Sequence, residues 1–173
     1  MQKILLLIII GLAAGRQAPA QKASSFEYWV SSVDKAARQR TTYHISGNGI
    51  EVKTGPYDFL YFSKDYAKDK PAFASPLDSA AGMALKAMAV SLYRDSLKAR
   101  YNNTCIIDGL ILYFQFEWPD KAKSTTVSNY YLPAVAPCLD FINKHVPYRY
   151  NVSYPKKVLE DLRKRCPPDL IRH

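Results

Sequence analysis

From Leu110 to Trp118 the chain alternates without a break. Leu110, Leu112, Phe114, Phe116 and Trp118 fall at one parity, and Ile111, Tyr113, Gln115 and Glu117 at the other. Successive strand residues point to opposite faces, so this stretch predicts a β-strand with one large apolar face. Such a strand is not stable alone. It needs neighbours in a sheet and a layer of structure over the apolar side. Pro119-Asp120 ends it, and Asp108-Gly109 just before it is a two-residue hairpin signal that pairs 101–107 with 110–117.

The remaining pattern supplies candidate neighbours and cover. Ser24 and Glu27 form an S-x-x-E capping box, and Phe26, Trp29, Val30, Val33 and Ala37 then share a helical face, which predicts a helix over 24–39. Tyr43 and Ile45, then Ile50 and Val52, flank Asn48-Gly49 and predict a hairpin over 41–54. Residues 57–62 (YDFLYF) predict a third strand, and the Lys- and Asp-rich 63–75 an exposed loop. The longest helix opens at Ser75-Pro76-Leu77-Asp78, with Leu77, Ala81, Ala84, Leu85, Met88 and Leu92 as its core stripe. A polar loop over 121–126 and a short strand over 127–132 follow. Pro137 opens a short helix with Cys138, Phe141, Ile142 and His145 on one face, 148–152 is an edge strand, and Ser153 caps a last helix bearing Val158, Leu159, Leu162 and Cys166. This order predicts an α+β fold: an antiparallel sheet of about five to six strands with helices packed mainly on one face. The segment Leu77-Asp78-Ser79-Ala80-Ala81, with strands before it and an aromatic strand after it, resembles the β-β-α-β core of TonB-type C-terminal domains. The Gly-Xaa-Val-Xaa-Val strand pattern and the following Pro-Ala of that group are missing, so no function is carried across.

The opening residues predict destination rather than shape. Met1-Gln2-Lys3 is a short positive stretch, Ile4 to Leu12 is continuously apolar, and Ala18-Pro19-Ala20 offers small residues for cleavage. This is the secretory signal pattern, and the apolar run falls well short of the ~20 residues a spanning helix requires. The expected organisation is a cleaved signal peptide over 1–20 and a single α+β domain over 21–173, exported to the periplasm or beyond the cell. No transmembrane segment is expected after cleavage. The chain carries 24 Lys and Arg against 15 Asp and Glu, and loss of Lys3 and Arg16 lowers the net charge from +9 to +7. In an oxidising compartment two of the three cysteines can pair. Cys138 and Cys166, both on apolar helical stripes, form the expected disulfide, with three reduced, buried cysteines as the alternative.

Nucleotide, dinucleotide, nucleophile-elbow, zinc-protease and EF-hand motifs are all missing from the sequence. No cofactor and no metal site are expected. His44 and His145 are the one pair suited to general acid–base work on a phosphodiester, which gives a secreted hydrolase as the alternative function. The leading reading is a non-enzymatic binding module. Thirteen tyrosines are present, and the last third interleaves several with cations: Tyr148, Arg149, Tyr150, Tyr154, Lys156 and Lys157 form the candidate binding surface. Aromatic faces beside cations can stack sugar rings and hold anionic groups. The expected partner is a glycan, a cell-envelope polymer or an acidic protein, and nucleic acid is not expected once export is accepted.

Overall fold

The computed structural model describes residues 26–35, 37–57, 69–106 and 109–165. Among them are seven strands, β1 (Glu27–Asp34), β2 (Gln39–Ser46), β3 (Gly49–Pro56), β4 (Lys70–Ser75), β5 (Arg100–Asn102), β6 (Ile111–Glu117) and β7 (Ala122–Ser128), and three α-helices, α1 (Ser79–Arg94), α2 (Ala136–His145) and α3 (Lys156–Lys164). The strands form one sheet in the order β4-β3-β2-β1-β6-β7-β5. Every pairing is antiparallel except β5 with β7. The class is the expected α+β, with a sheet larger than expected.

The extra central strand is the main correction. Residues 27–34 form β1, not the helix that the sequence pattern predicts. The stretch satisfies both periods: Phe26, Tyr28 and Val30 lie at one parity, and Glu27, Trp29, Ser31 and Val33 at the other. Its aromatic and β-branched content favours the pleated state, and in the centre of the sheet both edges are paired. Tyr28 sits opposite Ile45 on one side and Phe116 on the other, and Val30 opposite Tyr43 and Phe114. Helical packing of the same residues would leave β2 and β6 with unpaired edges, so tertiary pairing overrides the local helix signal.

α1 and α2 form the layer over one side of the sheet, and Arg163 of α3 lies over Tyr130 in the segment after β7. The core joins Tyr28, Val30, Ile45, Val52, Phe114 and Phe116 to Leu85 and Leu92 of α1 and to Leu139 and Ile142 of α2. Two hydrogen bonds bring helix and sheet together: Tyr28 Oη donates to the Cys138 carbonyl at 3.2 Å, and Trp118 Nε1 to the Ala89 carbonyl at 3.3 Å. Asp78 caps the start of α1 by accepting from Ala81 N–H at 2.7 Å. At its other end Lys123 of β7 donates to the carbonyls of Leu92, Tyr93 and Asp95. A lysine there satisfies C-terminal acceptors and complements the helix dipole. α1 therefore runs from beside the β2–β3 turn across to β7.

Neither α1 nor α2 covers the other side of the sheet, and polar groups line it. One row across the strands reads Glu51, His44, Trp29, Gln115, Ser124, and the next Lys53, Thr42, Ser31, Tyr113, Thr126. Ser31 and Thr42 share a hydrogen bond, and the Asp69 carboxylate reaches both Thr42, at 3.3 Å, and Arg40, at 2.7 Å. Gly55 permits this approach, because a Cβ there would collide with the Asp69 carboxylate.

Other expectations resolve as follows. The hairpin over 41–54 is present, with Gly47-Asn48 at its turn rather than Asn48-Gly49. Residues 70–75 of the expected loop form β4, and residues 122–126 of the expected polar loop belong to β7. β5 pairs with β7 in parallel instead of forming a hairpin with β6. Residues 148–150 are a single 3-10 turn rather than an edge strand. Ala84 of the expected α1 stripe is exposed, with Ala89 buried in its place, and Pro155 rather than Ser153 precedes α3. Residues 1–20, most of the expected strand 57–62 and Cys166 lie outside the described residues. No disulfide joins two described cysteines. Cys138 is a free, buried thiol 3.3 Å from Met88 Sδ, which corrects the expected Cys138–Cys166 pair, and Cys105 is disulfide-bonded to a partner outside the described residues. Cys138 is part of the buried core cluster, and no other described cysteine belongs to it.

Burial pushes the Cys138 thiol and the hydroxyls of Tyr28, Tyr43 and Tyr154 above their ordinary ranges. The folded state then keeps protons that the unfolded chain releases above about pH 8.5 for Cys and about pH 10 for Tyr. Stability is fully present below those values and declines as pH rises through them. Urea midpoints followed from pH 7 to 11 should be level at first and then fall, and Cys138→Ala should move the onset upward toward the tyrosine range. An onset unmoved by the substitution would assign the decline to other groups.

Candidate functional site

A groove of about 840 Å³ opens where β1 begins, β2 ends and α1 starts. Its apolar surface comes from Phe26, Leu77, Leu85 and Met83, and its polar rim includes Glu27, His44, Ser46 and Asn48. Local sequence explains the assembly. The two-residue turn Gly47-Asn48 brings the end of β2 back as β3, and Pro76-Leu77 leads directly from β4 into the Asp78 cap of α1. Gly82 leaves its part of the helix surface open, since a Cβ there would meet nothing within 4 Å.

His44 is the most constrained polar group in the groove. Its Nε2 lies 2.8 Å from Glu27 Oε2, and its ring stacks on Trp29 at 4.5 Å with an interplanar angle of 7°. Trp29 and His44 are direct cross-strand neighbours, so the β1–β2 register itself creates the stack. Both members of the His44–Glu27 pair remain about one-third exposed. Glu27 is also opposite Glu117 on β6, whose carboxylate accepts from Gln115 Nε2 at 2.6 Å. The arrangement offers an acceptor carboxylate, an imidazole, an amide and a hydroxyl around an apolar floor. Among the described residues no group of three or more His, Cys, Asp or Glu side chains is placed to hold a metal ion.

The structure does not bring His44 and His145 together. His44 alternates with the core residues Tyr43 and Ile45, so it lies on the side of the sheet that α1 and α2 leave uncovered. His145 ends α2 within the helical layer, its Nδ1 2.7 Å from the Phe141 carbonyl and its ring against Phe141 at 4.4 Å. The sheet separates the two imidazoles, and a shared cleft for acid–base catalysis is not formed.

The six residues expected as a binding surface also divide. Tyr148 is 90% exposed, and its carbonyl accepts from Asn151 N–H at 3.0 Å. Arg149 lies over the ring of Tyr150, and Tyr150 is tied to the sheet: its hydroxyl donates to the Ala72 carbonyl, and its carbonyl accepts from Tyr43 Oη at 2.7 Å. Tyr154 Oη accepts from Leu132 N–H at 2.6 Å and donates to the Tyr130 carbonyl at 3.0 Å, while its ring stacks on Tyr131. Lys156 lies over Tyr131, and Arg163 over Tyr130. Lys157 is exposed on α3. These tyrosines therefore fasten the C-terminal segment to the sheet, and most of their polar ends are engaged. Sequence reasoning missed the groove because it read Glu27 and Trp29 as helical. Once 27–34 is a strand, the cross-strand pairing of Trp29 with His44 follows from register alone.

No protein-family model, no curated protein and no solved structure matches this chain.

The division of labour among the tyrosines is measurable. Tyr154→Phe leaves the buried Leu132 amide without its acceptor and should lower unfolding free energy by about 1–3 kcal/mol. Tyr148→Ala should stay within about 0.5 kcal/mol of the parent. Urea denaturation decides, and equal small effects at both positions would contradict the fastening role of Tyr154.

Proposed function

We propose that this chain is an exported binding module that takes a glycan in the groove between α1 and the β2–β3 turn, and that it acts by binding rather than catalysis. The observation that carries this reading is the composition of the groove. Glu27, His44, Ser46 and Asn48 surround an apolar surface that includes Met83, itself 66% exposed. Sugars present apolar C–H faces and hydroxyls that both donate and accept, and a concave site with a few converging polar groups suits them. Glu27 and Asp78 line the same groove against one lysine, Lys86, so the groove does not share the basic balance of the whole chain, which argues against a polyanion there. The N-terminal pattern of residues 1–20 supports export, and the separation of His44 from His145 removes the support that the hydrolase reading had.

The test is binding of the purified protein to soluble neutral oligosaccharides, to peptidoglycan fragments and to heparin as a polyanion control. Glu27→Gln and Asn48→Ala, with folding checked by circular dichroism, should each weaken binding of the preferred sugar about tenfold, equivalent to about 1.4 kcal/mol. Tyr148→Ala should leave it unchanged. Preference for heparin, or undiminished sugar binding by both groove variants, would overturn the assignment.

A further inference from the structure

We infer that a disulfide between Cys105 and Cys166 clasps the end of α3 to the turn after β5, and that this bond is a redox-sensitive hold on one wall of a second cavity. The cysteine count leaves one pairing. The sequence holds three cysteines. Cys138 is a free thiol, fully buried, and Cys105 is disulfide-bonded. Cys166 is the remaining partner, and it directly follows Arg165, the C-cap of α3.

Contacts within the fold bring the same two places together independently of that count. Arg163, in the last turn of α3, lies over the Tyr130 ring at 4.9 Å, and Tyr130 packs against Tyr101 of β5 at 5.7 Å. β5 pairs with the end of β7 and leads through Asn103-Thr104 to Cys105. The turn there is pinned. The buried Asn103 donates its backbone N–H to the Ser128 carbonyl at 3.0 Å, and its Oδ1 accepts from Cys105 N–H at 3.2 Å. Asn129 Nδ2 donates to the Ile106 carbonyl at 3.2 Å. The Cys105 side of the bond is therefore a fixed post at the end of β7.

α3 needs such a hold. It has nine residues, Leu159 is its one buried residue, and no side chain caps its start. A helix this short is marginal in water unless it is packed. Tyr154 and Lys156 fasten its start against Tyr131, but at its last turn the Arg163 contact is exposed, where a cation over a ring is weak. Pro155 and Leu159 line a cavity of about 750 Å³ together with Ser32, Val33 and Leu110, so loosening α3 loosens that wall. The cavity shares no lining residue with the groove assigned to the sugar, and the inference stands apart from that reading.

Exposure decides the chemistry. Cys105 is exposed and Cys138 is not. Formation of the bond takes two protons and two electrons from the two thiols and passes them to the disulfide of a thiol oxidant, which leaves as a dithiol. A dithiol reductant reverses the step. Its thiolate attacks the exposed Cys105 sulfur, the Cys166 sulfur departs as a thiolate, and the second reductant thiol resolves the mixed disulfide. The products are two protein thiols and the oxidised, disulfide form of the reductant.

The test is mass spectrometry followed by hydrogen exchange on the full chain, expressed with residues 1–20 and purified under air without reductant. Peptide mapping should link Cys105 to Cys166 at the intact mass of a monomer, with Cys138 the single thiol that alkylates after unfolding. Dithiothreitol under native conditions should then speed amide exchange across 156–164 about tenfold and leave 28–33 and 111–117 unchanged. The Cys105→Ser/Cys166→Ser double variant should match the reduced parent, and Cys138→Ala the oxidised one. Three free thiols, a link from Cys105 to a second chain, or α3 exchange that ignores dithiothreitol overturns the inference. So does loss of protection across the whole sheet on reduction, which makes the bond a staple of the entire fold rather than a clasp on α3.

Discussion

The structure depends on the placement of β1 in the middle of the sheet. Its two edges are both paired, to β2 and to β6, over almost its whole length. Its two faces have different fates. Tyr28 and Val30 join the core beneath α1 and α2, and Trp29 and Ser31 lie on the other side. Because side chains alternate with a strict period of two, this single choice of register assigns a face to every residue on the neighbouring strands. Tyr43 and Ile45 go to the core and His44 to the other side. The same parity puts Leu112, Phe114 and Phe116 inward and Tyr113 and Gln115 outward.

The candidate site is a consequence of that arrangement at one end of the sheet. Glu27 is the first residue of β1, His44 lies near the last of β2, and the antiparallel pairing brings them within hydrogen-bond distance. The start of α1 is delivered to the same place by the short connection from β4, and its cap is satisfied locally by Asp78. The far end of α1 is held by Lys123. The tyrosine-rich C-terminal segment has a different role. Its hydroxyls reach backbone groups of the sheet edge and of the segment after β7, so it closes the helical layer.

Much of this was legible in the sequence where one period was unambiguous. The alternation at 110–118 specifies β6 and its inward face, and the 3.6-residue spacing of Cys138, Phe141 and Ile142 specifies the buried side of α2. The hairpin around residue 48 carried a turn signal that survives a shift of one residue. What was not legible had one physical origin: short segments whose apolar residues fit two periods. Residues 27–34 fit a helix as well as a strand, and only the unpaired edges of β2 and β6 decide between them. Residues 122–126 are too polar to announce a strand, yet β6 needs a partner on its second edge and finds it there. A parallel pairing such as β5 with β7 leaves no local turn to read. The groove depended on the misread strand. The hydroxyls of Tyr150 and Tyr154, which look available in a sequence, are used inside the fold.

The claim on which the account rests is therefore that 27–34 is the central strand. Nuclear magnetic resonance of the labelled protein tests it directly. The account predicts close Hα–Hα or amide contacts from Tyr28 and Val30 to both β2 and β6, with backbone amides in 28–33 among the slowest to exchange. Sequential amide–amide contacts of helical type across 27–34, with no cross-strand contact to Ile45 or Phe116, would contradict the fold and the site argued from it.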